Sequence, residues 1–161
     1  VLDTVIGAVD RTDSGVIWRF SGDAVARRWG GLAALRDATE ESVQLYVAEG
    51  DQRVCVASLE SPHGLRTIVP VGMSLPLDVG SAGKVLRGDA GEWAQSVEER
   101  ERGVASVSAP VRDGSGETVA AVSVSGPIER TTREPGGLYA GAVCEAAAKV
   151  SAALQRQTSS G

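Results

Sequence analysis

Serine recurs at every second position in two stretches of this 161-residue chain: Ser106 and Ser108 within Val104–Val111, and Ser123 and Ser125 within Thr118–Ser125. A serine offers a donor and an acceptor on a short stem, so such a row either faces water or lines a small polar pocket. A second candidate is Gly80-Ser81-Ala82-Gly83-Lys84, whose ending is that of a phosphate-binding loop. That loop requires glycine six residues before the lysine and Ser or Thr after it, and Asp78 and Val85 stand there instead. What remains is a small-residue turn opening a helix, whose unpaired N–H groups carry partial positive charge and suit a carboxylate.

Catalytic chemistry finds less to work with. His63 is the single histidine, it sits in the loop Ser61–Gly64, and no Ser-His-Asp arrangement is legible. Glu98, Glu99 and Glu101 alternate with Arg100 and Arg102, which reads as a charged segment facing solvent. Cys55 and Cys144 are the only cysteines, too few for a disulfide framework and, with His63, too few for a zinc site. Both read as small buried hydrophobes. No enzyme, cofactor or metal is expected.

The elements that must position the serines follow from periodicity. Asp113-Gly114-Ser115-Gly116 is a turn signal between the two serine stretches, which makes them a hairpin. Its two faces differ: Val107, Ala109, Val111, Val122 and Val124 on one, Ser106, Ser108, Ala121, Ser123 and Ser125 on the other. Upstream, Asp23 is placed to cap a helix ending near Asp37, with Val25, Trp29, Leu32 and Leu35 as its apolar stripe. Arg27, Arg28 and Arg36 lie off that stripe on a solvated face. Strands are expected over Ser42–Val47, Arg53–Leu59 and Leu65–Val71, the first two around the turn Glu49–Gln52. Downstream, Leu138–Leu154 reads as a helix burying Tyr139, Val143, Ala146, Ala147, Val150 and Leu154, and Gln155–Gly161 as a polar tail. Strands, hairpin and helices in this order predict an α+β fold, a twisted antiparallel sheet with helices packed on it.

Composition narrows the class. Hydrophobic residues make up 42% of the chain, enough for a core, and the net charge is -5. An acidic domain repels phosphate, so this part of the molecule is a poor candidate to grip nucleic acid itself. No apolar run reaches the ~20 residues a bilayer requires and no signal-peptide pattern opens the chain, so a cytoplasmic location is expected.

The hairpin sequence Gly103–Arg130, GVASVSAPVRDGSGETVAAVSVSGPIER, resembles the signature of the effector-binding domain of the IclR family of bacterial transcriptional regulators. Ala109-Pro110, Asp113, Gly116, Ala120-Ala121, Ser123, Ser125-Gly126-Pro127 and Arg130 all fall on that pattern. Within the family it looks closest to the actinobacterial regulators of leucine biosynthesis and nitrogen-dependent growth. Trp93-Ala94-Gln95-Ser96 and Glu99-Arg100-Glu101-Arg102-Gly103 echo that subgroup, with Arg102 where the subgroup has Pro. The resemblance spans about Asp23 to Leu154.

The resemblance implies a GAF- or profilin-like effector domain and places Ser81, Ala82, Ser96, Val104, Ser106, Ser123 and Ser125 at its pocket. It further implies a small anionic effector (an amino acid or related organic acid), a homodimer or tetramer, and operator DNA bound through an N-terminal winged helix-turn-helix. Control of leucine biosynthesis genes would follow from the subgroup; a repressor is expected. Better-known members carry an acidic residue and a Cys where this chain has Ser96 and Ser106, so their effectors do not transfer. A dimerisation module with a vestigial pocket is the competing reading, and a GAF-like enzyme a weaker one.

The chain also departs from the family in two places. Val1–Val9 looks like the first helix of the winged domain and Asp10–Phe20 like its wing, yet the helices the family has between them, the major-groove reader included, are missing. Some tens of residues are likewise missing near Gly88–Gly91. Both departures predict either breaks in the chain or natural deletions. The domains are thus expected as 1–21, fragments of the winged domain; 22–155, linker helix and effector domain; and 156–161, the tail.

Overall fold

The alternation of valine with serine and alanine over Thr118–Ser125 produces a central strand whose two faces are both covered. The structure is a computed structural model that describes residues 8–12, 15–19 and 22–158, with side chains from Gly30 to Arg156. Strands β1 (Ala8–Thr12) and β2 (Gly15–Arg19) pair antiparallel with each other. The remaining strands are β3 (Ser42–Glu49), β4 (Gln52–Leu59), β5 (Ser74–Pro76), β6 (Ala94–Val97), β7 (Val104–Arg112) and β8 (Thr118–Pro127). They form one six-stranded sheet in the order β5-β4-β3-β8-β7-β6, antiparallel throughout. The helices are α1 (Gly22–Thr39), α2 (Gly80–Leu86), α3 (Ile128–Thr131) and α4 (Pro135–Thr158).

One sheet face is apolar and carries α1 and α4. Val43, Leu45, Val47, Val54, Val56, Val107, Val122 and Val124 meet Leu32 and Leu35 of α1 and Val143, Ala146, Ala147, Val150 and Leu154 of α4. Each valine or leucine among them contributes about 1.5–3 kcal/mol by leaving water. The two helices approach closely because their contact is made of small groups. A Cβ on Gly31 would stand 3.6 Å from the Ala146 carbonyl and 3.4 Å from the Lys149 Cβ. On the other face Tyr46, Cys55, Val69 and Ala121 form a smaller cluster with Ala82 and Val85 of α2, and the serines lie beside it. The α+β fold read from the sequence is the fold observed.

The turn between β7 and β8 is built on one carboxylate. Asp113 Oδ1 accepts from the Ser115 amide (2.9 Å), the Ser115 hydroxyl (2.7 Å) and the Glu117 amide (3.0 Å), and Gly116 takes a φ of +85°. The Ser115 hydroxyl, ahead of the amides, holds this carboxyl below its usual range.

Several boundaries differ from expectation. Helix α1 begins at Gly22, so Asp23 lies in its first turn rather than capping it. Leu32 and Leu35 are buried as expected; the side chains of Val25 and Trp29 lie outside the described residues. Leu65–Val71 forms no ladder. Its alternation survives, with Thr67 and Val69 buried and Ile68 outward, but Pro70 has no N–H to give a neighbour. The Gly72 amide instead bonds Cys55, Cys55 bonds Met73, and pairing with β4 starts at Ser74. Ala8 and Val9 are strand, where the sequence reads as helix, and residues 1–7 lie outside the description. Helix α4 runs from Pro135 through Thr158, so most of the expected tail is helical. Cys144 is half-buried, not buried.

The end of α1 is tied to the end of β8 by an ion pair. Arg130 reaches both oxygens of Glu41 (2.6 and 3.1 Å) and donates to the Leu65 carbonyl (2.6 Å), while Glu41 is 1% exposed. Gly126 makes room for it: a Cβ there would lie 2.3 Å from Glu41 Oε2. Arg130→Ala leaves a buried carboxylate without its partner, an expected loss of about 3 kcal/mol. Gly126→Ala, which collides with the same carboxylate, is expected to cost ~1–3 kcal/mol. Urea unfolding measures both, and wild-type midpoints for either variant would refute this account of Glu41.

Candidate functional site

Register brings the serines together. Across the polar face of the sheet, Ser96 of β6 stands opposite Ser106 of β7, which stands opposite Ser125 of β8, which stands opposite Ser42 of β3. A parallel row runs Ala94, Ser108, Ser123 and Gln44. Because side chains alternate along each strand, the two rows project from the same face. Helix α2 roofs them and adds Ser81.

The hydroxyls bond one another in an unbranched chain. Ser96 meets Ser106 at 2.8 Å, Ser106 meets Ser81 at 2.6 Å, Ser81 meets Ser108 at 2.7 Å, and Ser108 meets Ser123 at 2.5 Å. Separately, the Ser125 hydroxyl donates to Gln44 Oε1 at 3.0 Å. Ser123 and Ser125 are buried, so the reading in which these serines face water does not hold.

A small cavity of about 20 Å³ opens beside this chain. Its wall contains every residue the sequence pointed to: Ser81, Ala82, Ser96, Val104, Ser106, Ser123 and Ser125. It also contains Gln44, Tyr46, Arg53, Gly80, Arg100 and Glu101, which the sequence reading left out. Arg100 and Glu101 belong to the segment read as solvated charge. Glu101 is exposed, but Arg100 is half-buried and pairs with it at 3.5 Å. The segment's other carboxylates are also engaged, Glu99 by Lys84 (2.7 Å) and Glu98 by Arg133 (3.1 Å).

Positive charge in the cavity comes chiefly from Arg53. Its residue is 3% exposed, and the guanidinium lies over the Tyr46 ring, 5.1 Å from the centroid. Nη1 donates to the Pro76 and Val79 carbonyls. No carboxylate pairs with Arg53 among the described residues, and burial pulls its pKa below the usual value. Helix α2, expected to attract an anion through its N-terminus, has only seven residues and no side-chain cap at Val79. A dipole that short is a minor contributor beside a full buried charge.

The glycines of Gly80-Ser81-Ala82-Gly83-Lys84 serve closure. Gly80 has a φ of +83°, and a Cβ on it would meet Arg53 Nη2 at 3.1 Å. A Cβ on Gly83 would lie 2.3 Å from the Leu77 carbonyl oxygen. Lys84 spans outward, donating to the Gln95 carbonyl (2.9 Å) and Glu99. Gln95 in turn accepts from the Gly136 amide at the start of α4 (3.0 Å) and donates to Glu134 (3.1 Å). The strand carrying Ser96 is thereby fixed to both helices.

Reactive groups are muted. Cys55 is buried, and burial pushes its thiol from 9.0 to about 12; burial likewise pushes Tyr46 from 10.0 to about 12. His63 stays in its loop, half-buried and away from the cavity wall. Among the described residues no three His, Cys, Asp or Glu side chains gather, and no helix is long and apolar enough to cross a membrane.

A twisted antiparallel sheet with one face under two long helices and the other forming a small polar cavity under a short helix defines an α+β domain of the effector-domain type. The chain matches the family described as bacterial transcriptional regulator IclR C-terminal over residues 23–89 and 87–152, and it belongs to that family. The match restarts at Arg87–Asp89, just where the sequence falls short of the family pattern. An IclR-family regulator from Rhodococcus sp. is 25% identical, with 94% of this chain and 76% of that one covered at a TM-score of 0.69. The fold is shared with IclR of Thermotoga maritima (19% identity, 91% and 79% covered, TM-score 0.71). It is shared too with the C-terminal domain of KdgR of E. coli (21% identity, 82% and 98% covered, TM-score 0.69). A search of curated proteins finds no sequence match. The domain is therefore the effector domain of an IclR-family transcriptional regulator; regulators of this family bind small effectors and DNA and oligomerise.

Folding keeps the Cys55 and Tyr46 protons on, since both pKa values rise on burial. The stability this gives is complete below about pH 9 and is lost as pH climbs toward 12, at up to ~1.4 kcal/mol per pH unit per group. Thermal melts from pH 8 to 11 should decline accordingly, and Cys55→Ala should flatten the decline. At pH 8 a thiol reagent should label Cys144 well before Cys55. Equal labelling of both in the native state would contradict the burial of Cys55.

Proposed function

We propose that this domain senses a small anionic metabolite, an amino acid or related organic acid, in the cavity beneath α2. Ser81, Ala82, Ser96, Val104, Ser106, Ser123 and Ser125 are its effector-binding residues. The observation that carries this reading is the convergence of all seven on one cavity that also holds a buried guanidinium without a carboxylate. An uncompensated buried charge costs several kcal/mol, and an anionic ligand offsets that cost.

Effector binding acts as a population shift. The ligand stabilises one arrangement of subunits in a homodimer or tetramer, and that arrangement sets the spacing of paired N-terminal winged domains on operator DNA. The likeness of Trp93-Ala94-Gln95-Ser96 and Glu99–Gly103 to the leucine-biosynthesis and nitrogen-dependent growth regulators supports genes of amino-acid biosynthesis as targets. Repression is the mode we assign, in the cytoplasm.

Calorimetry of the full chain against amino acids and 2-oxo acids tests the proposal. One compound should bind, and Ser123→Ala with Ser125→Ala should weaken it about tenfold or more, each lost hydroxyl contributing on the order of 1 kcal/mol. Silence across the panel would overturn the sensor in favour of a dimerisation module, and turnover of any compound would restore the enzyme reading.

A further inference from the structure

Six large hydrophobic side chains stand exposed among the described residues, and four of them fall within Leu65–Met73. Leu65, Ile68, Val71 and Met73 range from 67% exposed at Leu65 to 39% at Met73, and Pro70 and Gly72 between them are exposed as well. A solitary exposed leucine is ordinary, whereas an apolar strip of this kind marks a contact surface. The strip is also firmly seated. Thr67 and Val69 are buried beneath it, and the Ser42 hydroxyl donates to the Thr67 carbonyl at 2.6 Å. Cys55 of β4 accepts from the Gly72 amide (2.7 Å) and donates to the Met73 carbonyl (2.9 Å). A turn closes over Pro70–Met73, with Gly72 at a φ of +92°. Its backbone is ordered in advance, so covering the strip costs little entropy.

Charge and backbone decide what fits there. The chain carries a net charge of -5, so two copies repel each other unless they meet at a neutral surface. Leu65–Met73 is such a surface. Arg66 is its one charged residue, and it pairs with Glu60 at 3.1 Å and donates to the His63 and Gly64 carbonyls. A two-fold contact sets each residue against its own kind, which a strip without unpaired charge tolerates. An extended peptide suits the place poorly. Pro70 has no N–H, and the adjacent edge strand β5 is three residues long and ends at Pro76. A membrane surface would require a basic flank, and Arg66 is already engaged. A stable interface covers about 800 Å² on each partner, with an apolar centre and a polar rim. The strip supplies the centre, and Glu60, Arg66 and Ser74 lie at its edge.

We infer that the outward side chains of Leu65–Met73 dock against the same strip of a second copy of this chain, with Ile68, at the middle of the strip, near the two-fold axis. This rests on the homo-oligomer proposed above and assigns it a surface. It does not depend on what the cavity binds.

Sedimentation equilibrium of the full chain over a concentration series tests the assignment. The wild type should self-associate, and Ile68→Arg should weaken that step at least about thirtyfold, because every interface then receives two cations in its apolar centre. Ile68→Glu should do the same. Mixing the two variants should restore association, since across a two-fold axis the cation of one copy meets the carboxylate of the other. Val71→Arg and Val71→Glu repeat the experiment should the first pair not fold. Leu138→Arg, at an exposed leucine of α4 outside the strip, should behave as wild type. Dissociation by Leu138→Arg as strong as that by Ile68→Arg would overturn the assignment, and an unrestored mixture would refute the two-fold contact. If the wild type associates and the strip variants leave its mass unchanged, the oligomer stands and this surface falls. A wild type that is monomeric over the whole series removes both.

Discussion

Strand β8 is buried along nearly its whole length, and the two faces it buries are unlike. That single constraint governs the rest. The valine face demands an apolar cover, which α1 and α4 provide with leucine, valine and alanine. The serine face cannot be left dry and unpaired, so its hydroxyls must find partners inside the protein. They find them in one another, in Gln44 and in Ser81, and the last of these ties α2 to the sheet. The cavity is the space left where that polar cover is incomplete.

The fold was largely legible because its signals are local and periodic. Period-2 alternation in β7 and β8 and the Asp113 turn specify a hairpin without reference to the rest of the chain. Leu65–Val71 shows the limit of such signals: Thr67 and Val69 do turn inward, yet whether a run joins a ladder depends on a neighbour being within reach of its N–H groups, and Pro70 interrupts them. The tail failed for the opposite reason. Gln155–Thr158 are polar and carry no stripe, but a helix already propagating costs little to extend.

The cavity was half legible. Its serines lie in a stretch that a family pattern marks, so they could be named from sequence. Gln44, Tyr46 and Arg53 lie in strands whose apolar positions dominate the reading. Their signal was present: Gln44 and Tyr46 occupy alternate positions between Val43, Leu45 and Val47, and Arg53 shares a face with Cys55. Alternation alone does not distinguish a polar residue turned to water from one turned into a pocket, and β3 and β4 have no solvent face there. Arg53 is covered by Tyr46 and by the chain from Pro76 through the start of α2, and no local pattern announces those contacts.

The five hydroxyls from Ser96 to Ser123 are joined by four links. Each link consumes one hydrogen and each hydroxyl owns one, so the chain has a single proton to spare. Whichever end gives that proton away dictates the polarity of every link behind it. A guest that accepts at one terminus therefore sets the direction of all four hydroxyl links, carried on β6, β7, β8 and α2, without any backbone needing to move.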